Sequence, residues 1–75
     1  MRLRSLRQAT GRRVRVHTRD RSVEGVLVYA SRQSVVLEAA EVPQPIGQAA
    51  IPILGSVIVD RAQVSFYEVK PEARS

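Results

Sequence analysis

The chain has no cysteine and no tryptophan, and only three of its 75 residues are aromatic: Tyr29, Phe66 and Tyr67. Without thiols it can build neither a disulfide framework nor a thiolate metal site. A domain of this length must then be held by packing or by self-association. Histidine is limited to His17 and the acids are scattered singly. A carboxylate dyad, a hydroxyl nucleophile with a base beside it, and a metal-ligand cluster are therefore all unsupported. The expectation is a non-enzyme with no catalytic residue, metal, cofactor or small-molecule substrate. No apolar run approaches the roughly 18 residues of a membrane span, and the basic start leads into no apolar stretch of signal-peptide type. That implies a soluble, cytoplasmic chain with no membrane partner.

Positive charge is what the sequence has in excess. Twelve Lys and Arg stand against seven Asp and Glu, for a net charge of +5. Residues 1–21 hold eight arginines and a single acid, Asp20, whereas residues 22–75 are net acidic. Eleven of the twelve cations are arginine, whose planar fork suits phosphate. The asymmetry points to nucleic acid; the bland reading is a solvated charged face that keeps an oligomer soluble. The four glycines are dispersed, so none forms a phosphate cradle.

Periodicity orders the chain. Leu3, Leu6 and Ala9 recur at helical spacing up to Gly11, which predicts a short amphipathic helix over about 2–10. From Arg12 to Thr18 the period becomes two, with Val14, Val16 and Thr18 on one face and Arg13, Arg15 and His17 on the other. A polar turn at 19–22 leads into a second strand over 23–29, bent at Gly25. A third strand is expected over 34–39. The Pro- and Gly-containing stretch 41–50 reads as a loop, followed by a fourth strand over 51–59. A turn at 60–63 precedes a fifth strand over 64–69, and the tail 70–75 is expected to fray. The whole chain, 1–75, is then one domain: all-β with a short N-terminal helix, a strongly bent five-stranded SH3-like barrel over about 12–69. Its fourth strand is apolar on both faces, which a lone small barrel has no means to cover. Pairing with the last strand of a second copy would cover it, and such a head-to-tail contact closes into a ring if its rotation divides a full turn. Tyr29, beside a polar loop, is the best candidate for stacking on a base.

This order of elements resembles the Sm-like (Lsm/Hfq-type) family of RNA-binding rings. The residues that carry the likeness are Leu6, Gly11, Val14-Arg15-Val16, Asp20, Gly25-Val26-Leu27 and Val35 to Ala40, then Leu54 to Val59 and Val64. The resemblance spans about 3–69. It implies an N-terminal helix on a bent five-stranded barrel and self-association into a hexamer or heptamer through the last two strands. It also implies that single-stranded RNA is held by the loop between strands 2 and 3 and by an arginine after strand 4. Here that loop is Ser31-Arg32-Gln33-Ser34, without the family's carboxylate, aromatic ring and asparagine. The second element is Asp60-Arg61, with the arginine displaced by one position and the glycine missing.

The expected RNA-binding residues are therefore Ser31, Arg32, Gln33, Ser34, Asp60, Arg61 and Gln63. Arg4 and Arg7, with Arg12 and Arg13, extend the basic surface. Two alternatives stand beside this reading: a scaffolding ring that makes only protein contacts, and a monomeric adaptor barrel.

Overall fold

The computed structural model describes residues 6–71. Six strands form one strongly bent antiparallel sheet: β1 (Arg13–Thr18), β2 (Ser22–Ala30), β3 (Ser34–Val42), β4 (Ile51–Pro52), β5 (Val57–Asp60) and β6 (Val64–Val69). The order across the sheet is β4-β3-β2-β1-β6, with β5 also paired to β3. A 3-10 turn, Arg61–Gln63, joins β5 to β6.

The period-two reading of β1 holds: Val14 and Val16 are buried, while Arg13, Arg15 and His17 lie on the outer face. Together with Leu6, Ala9, Val23, Leu27, Ala30, Val35, Leu37 and Ala40 they make one core, against which Ile53, Val57, Val59, Val64 and Tyr67 pack. The expected helix over 2–10 falls largely outside the described residues. What is described is a single turn in which the Ala9 and Thr10 N–H groups donate to the Leu6 and Arg7 carbonyls. Gly11 ends it at φ +89, and its N–H donates to the Leu27 carbonyl at 2.7 Å.

The expected fourth strand, 51–59, is two pieces. Pro52 has no N–H to extend the ladder, and Gly55 turns the backbone at φ +82. Leu54, Gly55 and Ser56 thus leave the sheet, and pairing resumes at Val57. The third strand is longer than expected, because Glu41 and Val42 pair with Pro52 and Ile51. The last strand spans Val64–Val69 as expected, and just beyond it the Lys70 N–H donates to the Arg13 carbonyl at 2.8 Å.

Two irregularities bend the β2–β3 ladder. Between Glu24↔Glu41 and Val26↔Glu38 the third strand carries an extra residue, and Ala39 there takes a positive φ of 49. Gly25 lies opposite, where a β-carbon would sit 2.9 Å from the Glu38 carbonyl oxygen. Between Leu27↔Leu37 and Tyr29↔Val36 the extra residue is Val28. Such bulges sharpen twist and break alternation, so Val28 and Tyr29 are both exposed while Ala30 returns to the core.

The outer face of β1 is tied by ion pairs. Arg13 Nε lies 2.8 Å from Glu24 Oε2 and its Nη2 3.0 Å from Glu41 Oε1, and Arg15 Nη2 lies 3.0 Å from Glu24 Oε1. Glu24 is 8% exposed. Burial pushes its carboxyl pKa up, but the hydrogen bonds and charges of Arg13 and Arg15 outweigh that and hold it below the ordinary glutamate value. A carboxyl depressed on folding stabilises the native state above its unfolded pKa, about 4.3, and loses that contribution as pH falls through the lower folded value. The thermal midpoint is accordingly expected to drop on acidification below about pH 4.3. The Glu24→Gln variant should be less stable at neutral pH and show a flatter acid limb in a circular-dichroism melt. An unchanged acid limb would mean that Glu24 is not a principal acid-sensitive group.

His17 serves the same face. Its Nε2–H donates to Glu68 Oε1 at 2.7 Å, its Nδ1 lies 2.7 Å from Ser22 Oγ, and its ring stacks on Phe66 at a 4.2 Å centroid separation. Both ring nitrogens are engaged in holding β1, β2 and β6 together. The hydrogen bond from His17 keeps the Glu68 carboxyl below its ordinary pKa.

Two strand edges are left open. Among the described residues β5 pairs only with β3, and β6 only with β1. The two-faced apolarity of the fourth strand is visible here: Val57 and Val59 turn toward the core, whereas Ile58 is 71% and Leu54 97% exposed.

Candidate nucleic-acid interface

The β2–β3 turn is fixed by its own hydrogen bonds. Ser31 Oγ accepts from the N–H groups of Gln33 and Ser34, both at 3.1 Å, and the Ser31 N–H donates to the Ser34 carbonyl at 2.8 Å. The turn is then tied to the segment after β5, because the Arg61 N–H donates to the Gln33 carbonyl at 2.8 Å. Ser34 stands opposite Asp60 in the ladder, and Asp60 Oδ1 caps the 3-10 turn by accepting from the Ala62 N–H at 3.0 Å.

These links enclose an open cleft of about 740 Å³. Arg32, Gln33, Ser34, Asp60 and Arg61 supply its polar lining, with Ile58 and Ala62 as apolar floor. Five of the nine sequence-predicted residues are therefore brought together, although Gln33 and Arg61 lie far apart in the chain. Ser31 does not line the cleft; its hydroxyl is spent on the turn. Arg7 stands nearby, its Nε donating to the Ala30 carbonyl at 3.3 Å, where it braces the residue before the turn. Gln63 faces a different cleft, on the other side of the 3-10 turn. Arg4 lies outside the described residues. Tyr29 is exposed but does not line the cleft. Ile58 and Ala62 were not anticipated as site residues, and only their adjacency to Asp60 and Arg61 in sequence could have suggested them.

The arginines sort into two groups. Arg13 and Arg15 are neutralised by Glu24 and Glu41, so Arg13 adds little to the basic surface expected of it. Arg12 donates from Nη2 to the Lys70 carbonyl at 3.0 Å. Arg19, Arg21, Arg32 and Arg61 have no ion-pair partner among the described residues, and all four sit on the loops 19–21, 31–33 and 61–63. Arg61 Nε is moreover buried without a hydrogen-bond partner. A buried donor left unmet is costly. Among the described residues no group of three His, Cys, Asp or Glu could hold a metal ion. No helix there is long and apolar enough to cross a membrane.

A bent antiparallel sheet with open edges on β5 and β6, and a cleft formed where the β2–β3 turn meets the β5–β6 connection, is the Sm-like β-barrel fold, and this chain has it. The chain is similar to a heptameric archaeal Sm protein at 26% identity, over 91% of this chain and 98% of that one, with a TM-score of 0.76. It is similar also to the SmAP1 heptamer of P. aerophilum, at 25% identity over 92% of each chain, again with a TM-score of 0.76. No family model matches the sequence, and neither does any curated protein.

Proposed function

We propose that the chain assembles into a homo-oligomeric Sm-like ring of six or seven copies and binds single-stranded RNA at the loop cleft, with no catalytic step. The observation that carries the RNA reading is the sorting of the arginines. Those on the strand are neutralised, whereas Arg32 and Arg61 converge unpaired on one cleft, with Arg61 Nε lacking a partner. The ring reading is supported by the heptameric neighbours and by the two open edges with Ile58 beside one and Phe66 on the other.

The chemistry of the cleft favours phosphate over base. Among the described residues no aromatic side chain lines it, and Asp60 and Ser31 are engaged with their own backbone. Arg32 and Arg61 offer charge-assisted donors to phosphate oxygens, while Gln33 and Ser34 give weaker contacts to base or sugar. Binding should therefore differ little between oligo-U and oligo-A and should fall steeply with salt, as counterions are released.

Fluorescence anisotropy with labelled oligo-U and oligo-A at low and high salt tests this. Arg61→Ala removes one charged hydrogen bond and is expected to weaken binding by about 10- to 100-fold and to lower the salt slope by about one. Absence of salt-dependent binding by the native chain would overturn the RNA reading in favour of a scaffolding ring that makes only protein contacts.

A further inference from the structure

The segment 61–65 has two sides. One is a wall of the cleft described above; the other, with the β1–β2 turn, encloses a second cleft of about 350 Å³. Its polar groups come from Arg19, Asp20, Gln63 and Ser65, and Ala62 lines both clefts.

Three features distinguish this second cleft from an ordinary surface groove. Ser65 is the extra residue of a bulge: pairing of β1 with β6 jumps from His17↔Phe66 to Thr18↔Val64. Bulges commonly re-aim a side chain next to a functional site, and here the residue released from the ladder lines the cleft. The β1–β2 turn is held on itself, with the Thr18 N–H donating to the Arg21 carbonyl at 2.8 Å and the Arg21 N–H to Thr18 Oγ1 at 3.2 Å. Arg19 and Asp20 are thus presented from a fixed turn, both exposed, and among the described residues neither side chain makes a hydrogen bond or ion pair. The group set is also mixed: a guanidinium, a carboxylate, an amide and a hydroxyl. The Asp20 carboxylate repels phosphate, and the set as a whole complements neutral polar groups that both donate and accept.

We propose that this cleft is a second nucleotide subsite. It takes the base and ribose of the nucleotide adjacent to the one at Arg61 on the same RNA strand, and the connecting phosphate crosses the 3-10 turn. Asp20 accepts from a ribose hydroxyl or an exocyclic amine, Arg19 and Ser65 donate, and Gln63 does both. This inference rests on the RNA reading above and adds a position along the strand to it.

The test is anisotropy with a labelled RNA hexanucleotide and its DNA counterpart on the native chain and on the variants Gln63→Ala, Asp20→Ala and Arg61→Ala, each checked for an unchanged thermal melt. Gln63→Ala should weaken RNA binding by about 3- to 10-fold with the salt slope unchanged. Asp20→Ala is the sharper arm. If the cleft is no subsite, removing a negative charge beside a bound polyanion tightens binding; if it is one, binding weakens, and more for RNA than for DNA because the 2′-hydroxyl is lost as a partner. Tighter binding by Asp20→Ala, or unaltered binding by Gln63→Ala, while Arg61→Ala still weakens it, overturns the second subsite and leaves the RNA reading intact. Failure of the native chain to bind RNA overturns both.

Discussion

Replacing Ile58 by aspartate is expected to break the proposed ring into single subunits at micromolar concentration, as read by native mass spectrometry or light scattering. Ile58 is 71% exposed on β5, a strand that pairs on one edge only. Covering an isoleucine stabilises by about 1.5–3 kcal/mol, and a carboxylate buried there without a partner adds a desolvation cost of its own. Because a closed ring has one such contact per subunit, the loss is repeated at every contact. A deficit of about 3 kcal/mol weakens each contact roughly a hundredfold. The subunit itself should stay folded, since the core cluster does not include Ile58. Ile46→Asp is the control, because that side chain is fully exposed on the loop between β3 and β4. A native chain that is already a single subunit would overturn the ring. Rings that survive Ile58→Asp would move the contact away from β5.

The second large effect is on folding. Gly25→Val is expected to lower the melting temperature by more than 10 °C, roughly what 2–3 kcal/mol produces in a domain of this size, or to give insoluble protein. A β-carbon at Gly25 meets the Glu38 carbonyl oxygen at 2.9 Å and the α- and β-carbons of Ala40 at 3.1 Å. These are backbone or backbone-fixed atoms, so the strands themselves must separate. Overpacking of this kind costs about 1–3 kcal/mol, and a branched side chain lies at the upper end of that range. In a chain this short that is a large share of the total stability. Gly25→Ala should show a smaller drop in the same melt. An unperturbed melting temperature for Gly25→Val would mean that the close approach of β2 and β3 at the bulge is not needed by the fold.

How much of this was legible beforehand depended on whether the information was local. The alternation of Val14 and Val16 with Arg13 and Arg15 is carried by consecutive residues, and β1 came out as read. So did the bend at Gly25 and the two-sided apolarity around Ile58. What failed was information held in register. The extra residues at Val28, Ala39 and Ser65 exist only as mismatches between two strands, and nothing at those positions marks them. The split of the fourth strand is half visible in the sequence: Pro52 and Gly55 are residues that interrupt a ladder, but that together they release three residues follows from the pairing to β3.

The candidate site divides in the same way. Arg32 and Arg61 could be picked out as loop arginines. That Arg13 and Arg15 are cancelled by Glu24 and Glu41 could not, because pairings such as Arg15↔Glu24 are cross-strand facts. The separation of Gln63 from Arg61, two residues away, depends on the tight 3-10 turn, in which successive side chains are rotated by about 120°.

The unpaired flanks of β5 and β6 carry a final consequence for how such an assembly grows. They lie on different strands, so two subunits that join through one of each leave one of each bare, and so does a row of any length. Every incomplete arc therefore has the same two sticky ends as a lone subunit: each join gains one contact at the cost of one more subunit's freedom, whereas shutting the last gap gains a contact with no further subunit to immobilise. Mixtures should hold complete circles and free chains, with partial arcs scarce, and any change in curvature that keeps the ends from meeting would favour threads over circles.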